Sequence, residues 1–178
     1  MHCWKSYNVN KKYEFNRLFI ISSFITLLVF VFAYVLMQSF AVNQLKDNYF
    51  IVFASIFILL YPLHKIFHVL PLLKYYKHMK IEIEFYFYIL PIIHVTVRNL
   101  ISKRRFTTAL FLPFLIINST LVLAMFLFPE YVHYLTILLA YHVGLCSIDI
   151  LYAKSLLSSP KGAMIEENED GYEILIQE

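Results

Sequence analysis

Charged residues are scarce in this chain. Asp, Glu, Lys and Arg make up 15% of its 178 residues, against 60% hydrophobic, and the mean hydropathy is +0.66. So little polar material cannot cover a soluble domain of this size, which excludes an ordinary globular enzyme and points to a polytopic membrane protein. Cysteine is nearly absent as well. Cys3 in the N-terminal tail and Cys146 deep in an apolar segment cannot meet across a bilayer, so no disulfide framework is expected. No small-residue cleavage site follows the first hydrophobic run, which is too long for the core of a cleaved signal and reads as a retained membrane helix. No internal repeat is visible.

Four apolar runs are present, at about 18–42, 49–73, 108–128 and 131–153, each long enough to cross a bilayer as a helix. Between the second and third, IEIEFYFYIL (81–90) changes period: Ile81, Ile83, Phe85, Phe87 and Ile89 fall on one face, with Glu82, Glu84, Tyr86 and Tyr88 on the other. Period two with β-branched and aromatic residues argues a strand, and IIHVTV beyond Pro91 supplies a returning partner, so a hairpin is expected at about 81–97. A two-stranded ribbon cannot face hydrocarbon, which places it at the membrane surface or among helices. The fold class expected is thus an all-α polytopic membrane protein of four transmembrane helices with a short β-hairpin and a small C-terminal strand, YEILI. Residues 1–17 read as a basic tail, with Trp4, Tyr7 and Tyr13 suited to the headgroups, 18–155 as the membrane domain, and 156–178 as an acidic tail.

Of the 15 Lys and Arg, 4 lie in the N-terminal tail, 1 in residues 43–48, 8 between residues 65 and 105, none in the turn at 129–130, and 2 after Ala153. With both termini and the middle loop cytoplasmic, this distribution obeys the positive-inside rule, and the second and fourth spans run in the same direction. The Lys103, Arg104, Arg105 cluster then reads as an anchor on anionic lipid, too short and too close to the membrane for nucleic acid.

Ionisable residues inside the spans are few, and they stand out. His64 and His68 in YPLHKIFHVLP are four apart, which on a helix stacks both imidazoles on one face within reach of a single metal ion. This is the frame of the zinc-peptidase motif HExxH, with Lys65 where that motif has its water-activating glutamate. Counting 1.5 Å of rise per residue from the outer end of each span puts His64 roughly 22 Å down, His68 roughly 28 Å and Asp149 roughly 27 Å. Asp149 is the sole aspartate in any expected span, and His142 and Cys146 share its helix face. A charge in a span is costly unless paired or wet, so three such groups at one depth mark a site. The alternative is that the histidines bond to helix carbonyls or water and Asp149 pairs with Lys65. His142 reads as a partner behind a ligand or a core histidine, and Cys146 as a small hydrophobe. His78, His94 and His133 have no spacing that suggests a site, and Glu166, Glu167, Glu169 and Asp170 read as a solvated cap.

HKIFH in the second span, KRRFTTALFLPF opening the third, and YHVGLCSID followed by SPKGAMIEENEDGYEIL together resemble one family. It is a family of small bacterial membrane proteins described as putative zincin peptidases, itself similar to intramembrane metallopeptidases of the site-2-protease type, and the resemblance covers about residues 45–176. It implies a bacterial cell membrane, zinc held by His64, His68 and Asp149 with water in the open fourth place, and a hairpin that aligns an extended or membrane-embedded peptide substrate. Lys65 departs from the pattern: a cation beside a divalent metal repels it and cannot take a proton while charged. The expectation is therefore a metallopeptidase-like frame in which catalysis has decayed, leaving a scaffold or regulator. An active peptidase with an unusual base and a structural protein with a Lys65–Asp149 pair are the alternatives. Nothing in the sequence speaks to oligomeric state.

Overall fold

Four apolar stretches fold as the four helices that hydropathy predicts: α1 Phe15–Phe40, α2 Phe50–Val69, α3 Lys103–Leu127 and α4 Val132–Leu157. All are long and apolar enough to cross a membrane. The computed structural model describes residues 2–7, 15–40, 44–86, 90–168 and 171–176, and their side chains apart from those of residues 15 and 82–94. α3 begins at Lys103, not at about 108, because Lys103, Arg104 and Arg105 are good helix formers and extend the helix beyond its apolar part. At its other end α2 meets Pro71, which has no N–H to continue the α ladder, and the chain tightens into a 3₁₀ segment, Leu70–His78.

α4 is the central helix and packs along both α1 and α3, whereas α1 turns most of its surface outward. Phe24, Leu28 and Phe32 on that outer face are well exposed, as side chains meant for lipid are. Between apolar helices in lipid, close approach and hydrogen bonds must replace the hydrophobic effect. Gly144 provides both: a Cβ there would run into Thr26 Oγ1, and the Gly144 carbonyl accepts a 2.7 Å hydrogen bond from Ser22 Oγ. At one end of the bundle the turn between α1 and α2 is clasped to the turn before α4. Lys46 N donates to Glu130 O at 3.0 Å, and His133 Nε2 lies 2.9 Å from Asp47 Oδ1. That contact accounts for one of the histidines to which spacing assigned no role.

The other end carries the strands. The expected hairpin is present as β2 Met79–Tyr86 and β3 Leu90–Val97, antiparallel, with Met79 opposite Val97 and Ile83 opposite Ile93. A second sheet was not anticipated at this size. It has the order β1-β6-β5-β4, formed by β1 His2–Tyr7, β4 Ile101–Ser102, β5 Met164–Asn168 and β6 Gly171–Ile176. Residues 2–7 are therefore not simply a basic stretch on headgroups: His2–Tyr7 pairs with β6, His2 opposite Ile176 and Tyr7 opposite Tyr172. The C-terminal region holds two strands where one was expected. Ile165 and Ile174 face each other across β5 and β6 at 0% exposure, each burial contributing roughly 1.5–3 kcal/mol, and Tyr7, Tyr152 and Tyr172 pack their rings beneath them. This core joins the sheet to the ends of α3 and α4 through Phe106 and Leu156, so β5 is held against the mouth of the bundle.

Candidate metal centre

His64 and His68 sit one turn apart on α2, and Asp149 reaches them from α4. Their polar atoms form a small triangle. His64 Nε2 and His68 Nε2 are 3.0 Å apart, and Asp149 Oδ2 is 3.3 Å from the first and 3.4 Å from the second. His64 is 4% exposed, and the other two are largely buried.

The surrounding hydrogen bonds determine what these atoms present. His68 Nδ1 lies 2.7 Å from the carbonyl oxygen of Ala109, an acceptor only, so Nδ1 carries the proton and Nε2 turns a lone pair to the centre. A longer chain orients His64. Asn118 Oδ1 accepts from His142 Nδ1 at 2.7 Å, which leaves His142 Nε2 to accept from His64 Nδ1 at 3.1 Å. His64 Nε2 is then a lone pair as well. Three acceptors thus converge with no proton between them, and Asp149 Oδ2 is buried without a hydrogen-bond donor.

Such an arrangement repels itself unless a proton or a metal cation joins it. The spacing suits one: ligands about 2.0–2.1 Å from a tetrahedral zinc stand about 3.3 Å from each other. Imidazole and carboxylate are among its usual ligand types, and three such residues would leave its fourth position free. Each histidine also has the partner behind it that orients a metal-bound imidazole, a backbone carbonyl for His68 and His142 for His64. A second cluster, His64, His142 and Cys146, could hold a metal by proximity. Its nitrogens are already engaged in the chain from Asn118, and Cys146 Sγ stands 3.8–3.9 Å from them, so it packs behind the first.

Lys65 does not fill the role of an ion-pair partner. Its ammonium lies 5.9 Å from the ring centroid of Tyr61, and among the described residues it makes no ion pair, although it feels the charges of Asp149 and Glu167. Glu82 and Glu84, on β2, lie outside the described side chains.

Sequence reasoning missed two residues. Asn118, polar in mid-span, carried a signal that no spacing connected to His142. Glu167 reads as solvated from the acidic run, but β5 turns Ile165 and Glu167 to the inner face, in period with Ala163 just before the strand. The Glu167 carboxylate accepts a 2.7 Å hydrogen bond from Val97 N at the end of the hairpin. Burial raises its pKa to about 7, opposed by that hydrogen bond and by the electrostatic influence of His68 and Lys65.

A family model described as "Putative zincin peptidase" matches residues 57–164, a stretch that contains α3, the pair on α2, and Asp149. No curated protein and no solved structure matches the chain significantly. With more than half of its length matched by that model, the chain belongs to the putative zincin peptidase family.

Proposed function

We propose that the protein is a membrane-embedded zinc-binding member of this family, in which His64, His68 and Asp149 hold the ion and Lys65 stands where a zincin keeps its glutamate. The observation that carries the reading is the convergence of three buried acceptors with Asp149 Oδ2 left without a donor. When bound, zinc would polarise a carbonyl and acidify a bound water. The chain's own part is to orient both imidazoles through Ala109 and His142 and to keep the centre out of bulk water. A cation at position 65 opposes proton abstraction there, so the site acts as a degenerate intramembrane protease. It holds an extended or membrane-embedded peptide as a scaffold or regulator and does not cut it. Four spans and the basic middle segment support a multi-pass protein of the bacterial cell membrane with both termini cytoplasmic.

Glu167 favours a second reading, an active peptidase of the site-2 type. Its carboxylate, carried by β5, interacts electrostatically with His68 and Lys65, and in this reading it takes the part of the glutamate absent from position 65. Metal analysis of detergent-purified protein tests both. Stoichiometric zinc in the wild type, lost in His64→Ala and Asp149→Ala, is expected, and a metal-free wild type would overturn both. Cleavage of a quenched-fluorescent transmembrane peptide in proteoliposomes by the zinc-loaded wild type, abolished in Glu167→Gln with zinc retained, would select the second reading. Binding of that peptide without cleavage would select the first.

A further inference from the structure

The ends of α3 and α4 enclose a cleft of about 800 Å³, separate from the metal centre. The first turns of α3 supply Lys103, Arg104, Thr107 and Thr108, and the turn after α4 supplies Lys161 and Gly162. Its character is cationic. None of Lys103, Arg104 and Lys161 has a carboxylate partner among the described residues, and Lys103 is tied only to a neutral carbonyl, Ser159 O, at 2.6 Å. Three positive charges lining one cleft, with no counter-charge among the described residues, repel one another, and an anion relieves that.

Other features point to the same kind of ligand. No side chain caps the first turn of α3, whose positive dipole end opens on the cleft. Gly162, at φ +88°, leaves the floor open: a Cβ there would meet nothing within 4 Å. A phosphate group has the charge, size and acceptor oxygens for this setting.

The position in the fold chooses among phosphates. The cleft lies where the third span begins and the fourth ends, which is headgroup depth for a protein that crosses the membrane by these helices. Leu157, 61% exposed, stands on its rim and offers apolar surface to the start of an acyl chain. We propose that the cleft binds the phosphodiester of an anionic membrane lipid, with Arg104 and Lys161 as its charged contacts. Lys103 stays fixed by Ser159 and adds its field. The site is independent of the metal reading and rests only on the four spans.

The test compares wild type with Arg104→Gln/Lys161→Gln, both full-length, in neutral detergent. Retention of phosphatidylglycerol and of phosphatidylcholine is read by native mass spectrometry, with inorganic phosphate as competitor. The wild type is expected to retain phosphatidylglycerol over phosphatidylcholine, and the double variant to bind it about 25-fold more weakly, roughly five-fold for each cation. Millimolar inorganic phosphate should displace little of it. Equal retention of the two lipids, or undiminished phosphatidylglycerol binding by the variant, would overturn the proposal. Displacement by inorganic phosphate as effective as that by added phosphatidylglycerol would overturn the lipid assignment in favour of the free anion. Should the double variant not fold, Lys161→Gln alone, on an exposed turn, carries the comparison with a five-fold effect.

Discussion

His142 Nε2 accepts a 3.1 Å hydrogen bond from His64 Nδ1, and the direction of that bond is set by Asn118 on the far side of His142. A polar side chain in the middle of α3 thereby decides which nitrogen of a histidine on α2 faces Asp149. Removing His142 frees the His64 ring to rotate and leaves its Nδ1 proton without an acceptor. His142→Phe is expected to weaken zinc binding by about 10- to 100-fold while the helices stay folded. A chelator competition titration beside far-UV circular dichroism checks both halves. Zinc affinity equal to that of the wild type would remove His142 from the site.

Lys65 has no ion-pair partner among the described residues, so its loss strands no charge among them. Lys65→Met removes a contact with the Tyr61 ring worth about 0.5–1 kcal/mol and adds apolar surface. The Tm in detergent is therefore expected to move by no more than a few degrees. A drop of the size produced by breaking a buried ion pair, about 3–5 kcal/mol, would show that Lys65 and Asp149 are paired after all.

Gly144 is required by the approach of α1 to α4. Gly144→Ala drives its new methyl into Thr26 Oγ1 and is expected to cost about 1–3 kcal/mol. Thr26→Ala vacates that space, so the double variant should recover most of the loss. Thermal unfolding of the four proteins measures the coupling. Simple additivity would mean that the two helices do not meet there.

Glu167 makes stability depend on pH. Its folded-state pKa is raised from 4.5 to about 7, so the folded chain holds this proton more tightly than the unfolded chain does. That contribution is complete below about 4.5 and is lost as pH rises through about 7. It amounts to something on the order of 1–3 kcal/mol. The metal-free protein should therefore lose Tm between those pH values, and Glu167→Gln, which keeps the neutral shape, should flatten the profile. An identical slope in the variant would assign the titration to another group.

The helices were legible because hydropathy and length are local properties. A run such as 18–42 has one way to satisfy its backbone in hydrocarbon, and the alternation of 81–90 has only one period. The height of Asp149 followed from the same regularity, since a fixed rise per residue turns sequence position into depth along a span. Glu167 was misread because an acidic run looks the same whether a strand turns alternate residues inward or leaves them all in water. Only the pairing of β5 with β6 and β4 separates those cases.

The sequence by itself determined that the chain has four runs long and apolar enough to cross a membrane, that two imidazoles share a helix face and that a lysine follows the first of them, because each depends on spacing within one segment. The tertiary structure alone decided the rest. It brought Asp149 to within 3.4 Å of both histidines, aligned Asn118, His142 and His64 into one hydrogen-bonded chain, and closed the N-terminal strand onto the C-terminal hairpin. These are contacts between residues far apart in the chain, set by how helices rotate and pack against each other, and no local pattern encodes that rotation.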